Sequence, residues 1–154
     1  MKILIAVDGS PYSRAAARYV ARHMGSLGKA PELHLLHVQP RIPYPRAASL
    51  AGRKAVDDYQ RSESRKALLV AERELARARV AWRSSYRVGD VATEVDKQVR
   101  AKKIDLVVSG SRGYGAFGNL ALGSVATKLI ATLTVPVLIV TRQASAHRRG
   151  RTSL

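Results

Sequence analysis

The chain has 154 residues, 46% hydrophobic and 25% charged, with a mean hydropathy of -0.13; these values fit one soluble domain and exclude a disordered or fibrous chain. It contains no cysteine, which removes disulfide frameworks, thiolate metal sites and cysteine nucleophiles together. Its 27 Lys and Arg against 11 Asp and Glu leave a formal charge of +16, a long-range attraction for nucleotides, nucleic acids or anionic surfaces that says nothing about fold.

The first apolar run, residues 3–8, ends at Asp8 and predicts a strand buried on both faces. It is far shorter than the roughly 18 residues of a membrane span, and a cytoplasmic protein with no membrane partner is expected. Ser10 and Pro11 supply an N-cap and a first-turn proline for a helix through about Met24, closed by Gly25 and Gly28. Residues 33–38 read as the second strand. Pro40, Pro43 and Pro45 then impose an extended connection before a long charged, alanine-rich helix over about residues 50–81. Residues 82–88 form a more polar strand suited to a sheet edge. Gly89 and Asp90 turn it into a helix with Val91, Val95 and Val99 on one face. Residues 105–109 are the fourth strand, followed by a glycine-rich loop from Gly110 to Gly123. A short helix over 124–133 aligns Val125, Leu129 and Leu133, and Val135 to Thr141 is the last strand. Such alternation demands an α/β fold, a single five-stranded parallel sheet with helices on both faces, Rossmann-like, over residues 1–142. Residues 143–154, with Arg148, Arg149 and Arg151, read as a disordered basic tail.

In a sheet of this kind ligands sit beyond the carboxyl ends of the strands where strand order reverses, which brings Asp8, Val38 and the Gly110 loop to one edge. Gly113-x-Gly115-x-x-Gly118 matches a dinucleotide fingerprint literally, yet no Asp or Glu follows Asp105 to hold a ribose. Gly118 to Gly123 has Walker A spacing, but Ser124-Val125 replaces the required Lys-Ser/Thr pair and Lys128 is a turn too late. What remains is either a set of packing glycines or a loop whose backbone approaches phosphates before a helix N-terminus that favours anions.

The spacing Gly110-x2-Gly113-x9-Gly123-Ser124, after the strand ending Val107-Val108-Ser109, resembles the ATP-binding signature of the universal stress protein family. Residues 3–13 (ILIAVDGSPYS), 35–38 (LLHV) and 135–140 (VPVLIV) are similar to that family's first, second and last strands. The resemblance implies an adenine nucleotide alpha hydrolase-like fold and bound ATP, or AMP or another adenine nucleotide, with any Mg²⁺ held by the phosphates. It places adenine by the backbone of Ala6, Val7 and Val38, with the Asp8 side chain near base or ribose. The phosphates would lie over Gly110, Arg112 and Gly113 and meet the amides of Gly123, Ser124, Val125 and Ala126, with Ser109 also counted among the nucleotide-binding residues. Asp8 also reads as a turn-forming carboxylate, and Arg112 as a solvated loop side chain.

Catalytic chemistry is poorly provided for. The loop from Gly110 to Ser124 has no Asp, Glu, His or Lys to position water or a metal, and Asp105 starts its strand at the opposite edge. His34 and His37 fall on opposite strand faces and are not expected to share a metal. The expected function is therefore nucleotide binding in stress or energy-state signalling, with a slow ATPase and a basic nucleic-acid-associated module as the alternatives. The second would use Arg61, Arg65, Arg73 and Arg77, which follow an i, i+4 line on the long helix. The uncharged last strand, Val135 to Thr141, is expected to join a homodimer if it lies at the sheet edge, as the family resemblance also implies.

Overall fold

Three consecutive residues, Ile3, Leu4 and Ile5, are at most 1% exposed, as a central strand covered on both faces requires. In a computed structural model describing residues 1–23, 30–41, 52–113 and 122–142, that strand, β1 (Lys2–Ala6), lies mid-sheet. It is followed by α1 (Pro11–His23), β2 (Glu32–Gln39), α2 (Arg53–Arg77), β3 (Arg83–Val88), α3 (Val91–Lys102), β4 (Leu106–Gly110), α4 (Ser124–Thr132) and β5 (Val137–Val140). All pairings are parallel and the strand order is β3-β2-β1-β4-β5. The chain thus winds outward from β1 to one side and returns to the other, leaving the reversal between β1 and β4.

Period-two alternation divides the core. Ile3, Ile5, Leu33 and Leu35 pack with Ala16 and Val20 of α1 and Leu68 and Leu75 of α2. Leu4, Leu36 and Val38 pack on the opposite face with Val95 and Val99 of α3 and Leu129 of α4. Ser10 caps α1 as expected, its Oγ accepting from Ser13 N–H at 3.2 Å. Asp90 caps α3 likewise, accepting from Thr93 N–H at 3.1 Å.

Several boundaries differ from the sequence expectation. The long helix runs from Arg53 to Arg77 rather than to residue 81. Arg79 takes the left-handed conformation (φ 56°) and Val80 N–H closes onto the Leu75 carbonyl at 3.1 Å, a Schellman ending without its usual glycine. β1 stops at Ala6, two residues early, because Gly9 (φ 81°) already turns the chain towards α1. β5 is shorter than Val135 to Thr141. On α4 the buried pair is Ala126 and Leu129, while Val125 is exposed. The glycines expected to close α1, the proline connection beyond Arg41, most of the glycine loop and the basic tail lie outside the described residues.

Candidate functional site

The turn after β1 is built by Asp8. Its Oδ1 accepts the Ser10 N–H at 2.8 Å, the turn-forming role that residue type predicts. Its Oδ2 is directed elsewhere: a Cβ placed on Gly113 would stand 2.6 Å from it. The carboxylate therefore sits against the loop that follows β4, at the reversal of strand order.

Backbone bonding decides what each strand end can offer. Val7 N–H donates to the Leu36 carbonyl at 2.9 Å, and the Val7 carbonyl accepts from His37 Nδ1 at 2.7 Å, so both Val7 groups are engaged. Along β2 the carbonyl of Leu36 faces β1 and that of Gln39 faces β3, where it accepts Gly89 N–H at 3.0 Å. Val38 thus turns its own N–H and C=O towards the β1 side, beyond the point where β1 has ended. Among the described residues, neither group has a backbone partner.

The loop after β4 is pinned at its base. Ser111 N–H donates to the Val140 carbonyl at 2.9 Å, and the Ser111 carbonyl accepts Gly123 N–H at 2.7 Å. A Cβ on Gly123 would lie 3.2 Å from Arg112 Cα, and one on Gly110 would lie 2.7 Å from the Tyr12 backbone. These two glycines permit close packing of backbone on backbone. Gly123 N–H is consequently unavailable to a ligand. The next three amides, of Ser124, Val125 and Ala126, begin α4 and have no intrahelical acceptor, and among the described residues no side chain caps them.

One cavity of about 580 Å³ joins these features. Ala6, Val7 and Asp8 of the first strand and turn line it, with Val38 of β2 on one side. Ser109, Gly110, Arg112 and Gly113 form the edge after β4, and Gly123, Ser124, Val125 and Ala126 the opposite wall. All twelve residues named from the sequence therefore border the same space, drawn from four separate segments. Sequence reading missed Ser13, Leu36, His37, Pro40, Val91, Val95 and Leu122. Val91 and Val95 were assigned only to a core face, and nothing in their spacing marks the end of that face that borders a void. Asp8 is the one carboxylate on the wall among the described residues, and no cluster of three His, Asp or Glu there could hold a metal ion.

The basic groups are arranged differently. Lys128 reaches Asp90 at 3.5 Å, linking α4 to the start of α3. On α2, Arg65 pairs with Glu72 at 3.1 Å and Arg77 with Glu74 at 3.3 Å, which leaves the arginine line half neutralised. Glu74 is also gripped by Arg18 Nε and Nη2, both at 3.0 Å, and this guanidinium holds its carboxyl below the usual range. The His34 and His37 rings are tied to different groups, Glu32 and the Val7 carbonyl. Among the described residues no helix is long and apolar enough to cross a membrane.

Comparison with known proteins decides the family. The model of the universal stress protein family matches residues 1–141. The chain belongs to that family. Universal stress protein YxiE of Bacillus subtilis is 34% identical over 147 residues, covering 90% of this chain and 97% of its own. Among solved universal stress-like folds, hypothetical protein MJ0577 superposes with a TM-score of 0.77 at 24% identity, covering 91% of this chain and 94% of its own. A universal stress protein family member from Arabidopsis thaliana, with AMP bound, gives 0.67 at 19% identity and 97% coverage of both chains. Universal stress protein structures with cAMP and with dAMP share the fold at TM-scores of 0.64 and 0.62, 19% and 17% identical, each covering 91% of this chain and 96% and 97% of their own.

Proposed function

We propose that this protein binds one adenine nucleotide per chain in the cavity beyond β1 and β4, ATP in the first instance, and that occupancy signals energy state in a stress response. One observation carries the reading: among the described residues, a single cavity has unpaired strand backbone at Val38 on one side and three unpaired helix amides at Ser124, Val125 and Ala126 on the other. A purine edge presents alternating donors and acceptors, which a peptide N–H and C=O complement. A phosphate presents acceptors only, which suit helix N-terminal amides and the dipole behind them. Asp8 Oδ2 and the Gly110 to Gly113 backbone lie between. Relatives of the same fold with AMP, cAMP and dAMP bound support the adenine-nucleotide class of ligand.

The one carboxylate on the wall among the described residues favours a binding protein over an efficient ATPase, since Mg²⁺ would be held by phosphate oxygens and water with at most Asp8 beside it. A homodimer through β5 is part of the same proposal. That strand is the uncharged outer edge of the sheet. The test is native mass spectrometry of the protein purified without added ligand. An adenine nucleotide retained at one per chain is the expected mass increment, and another class of small molecule in its place overturns the assignment.

A further inference from the structure

The two edges of the sheet are built differently. β5 closes one side with the apolar Val137–Val140, whereas β3 closes the other with the polar Arg83–Val88. The ladder fixes which β3 groups are free. Because Gly89 N–H donates to the Gln39 carbonyl at 3.0 Å, Arg83, Ser85 and Arg87 turn their backbone towards β2, and Ser84, Tyr86 and Val88 turn theirs outward. Among the described residues, the Tyr86 carbonyl alone of that outward set has a partner, Arg87 Nη1 at 2.8 Å.

Side chains follow the same alternation. Arg83 and Arg87 stand opposite His34 and Val38, on the face covered by α3, where Lys102 Nζ approaches His34 Nδ1 at 3.5 Å. Arg87 is fixed by neutral acceptors: the Tyr86 carbonyl, and the Gln98 amide oxygen, to which Nε donates at 3.2 Å and Nη2 at 3.3 Å in the amide orientation that satisfies both residues. The Arg83 side chain has neither a hydrogen bond nor an ion pair among the described residues. Glu32 is engaged by His34 Nε2 at 3.0 Å and by Lys2 Nζ at 3.8 Å. Burial, then the charges of Arg87 and Arg83, hold the Lys102 ammonium below its ordinary range. Three cations border this open edge, and among the described residues no carboxylate is bonded to any of them.

We propose that the β3 edge receives an extended acidic segment of another protein as a sixth strand, its carboxylates at alternate positions facing Arg83, Arg87 and Lys102. Outward N–H and C=O groups recur every two residues, about 6.6 Å, and another peptide backbone answers both donors and acceptors at that repeat; a DNA backbone offers acceptors alone. A second copy of this chain would set arginines against arginines. Residues 143–154 carry three arginines and no acid, so the chain's own tail is repelled too.

The probe is a labelled eight-residue peptide with Glu at alternate positions between Thr residues, titrated by fluorescence anisotropy at physiological salt. Saturable binding is expected, lost at least tenfold in Arg83→Glu/Arg87→Glu. The exposed Arg83→Ser, which disturbs no bond, should lose about threefold, and the equal charge change Arg61→Glu/Arg73→Glu less than twofold. N-methylation of alternate peptide amides should abolish binding in one of its two registers. No saturable binding, equal loss in both double variants, or insensitivity to N-methylation in both registers overturns the proposal, as does single-stranded DNA of the same charge binding more tightly through Arg83 and Arg87.

Discussion

Gly110 and Gly113 sit three residues apart in one motif, yet they do different things. A side chain at Gly110 meets main chain, 2.7 Å from the Tyr12 carbonyl carbon, and α1 cannot yield without unseating its cap; among the described residues, one at Gly113 meets only the end of the Asp8 side chain, at 2.6 Å. Gly110→Ala is therefore expected to cost about 1–3 kcal/mol and lower Tm by several degrees. Gly113→Ala should hold Tm within about 2 °C while weakening adenine nucleotides, because Asp8 must leave its place. Thermal melts and titration of the two variants separate these roles, and a Gly113→Ala protein that unfolds like Gly110→Ala would refute the distinction. Asp8 itself shows how far a residue is legible from sequence: its turn bond to Ser10 followed from local chemistry, while its second oxygen's place depends on a segment a hundred residues away. His34 supplies a pH test. Burial, then the Lys102 charge, holds its imidazole below the ordinary range, so the folded state resists a proton that the unfolded chain accepts. The stability tied to neutral His34 is complete above about pH 6.5 and is lost as pH falls from there through the lowered folded pKa, at no more than about 1.4 kcal/mol per pH unit. Urea denaturation between pH 7 and 5 should show that slope reduced in His34→Gln.

Strands and helix starts were well marked in the sequence because their signals are local: unbroken apolar runs for β1 and β4, Ser10-Pro11 and Gly89-Asp90 for α1 and α3. The ends of α2 and α3 were not. α2 and α3 close with Arg79 and Lys103 in left-handed conformations (φ 56° and 54°), positions where glycine is the usual signal and packing here overrides it. The edge position of β5 also needed the fold, since an apolar strand reads the same whether central or terminal. Its ladder now refines the dimer proposal. Val107 N–H donates to the Pro136 carbonyl and Ser111 N–H to that of Val140, so Pro136, Leu138 and Val140 face β4 while Val137 and Ile139 present their amides outward. Ile139→Pro should leave the monomer folded and abolish the dimer, whereas Leu138→Pro removes a ladder bond within the sheet and should cost about 3 kcal/mol. Sedimentation equilibrium at tens of micromolar reads the first; a wild-type monomer there contradicts the pairing.

At the scale of the whole molecule, parallel winding collects short segments that mean little separately. Asp8, Val38, the Gly110 to Gly113 stretch and the start of α4 are far apart in sequence, and the reversal of strand order between β1 and β4 brings them around one cavity. The spacing of glycines marked one wall and the first strand another; the α3 wall, Val91 and Val95, was hidden because an apolar face over a core and one over a ligand space are the same sequence. The +16 charge is the rival explanation for any nucleotide affinity, because it attracts phosphates wherever they touch. Salt and the adenine ring distinguish the two. The deciding measurement is calorimetric titration of the protein with ATP, AMP and tripolyphosphate at 0.3 M salt, where exposed charge contacts are screened beyond about 6 Å. The account predicts saturable binding of ATP and AMP at one per chain, with tripolyphosphate at least tenfold weaker; tripolyphosphate binding as tightly as ATP, or all three signals vanishing at that salt, would contradict it.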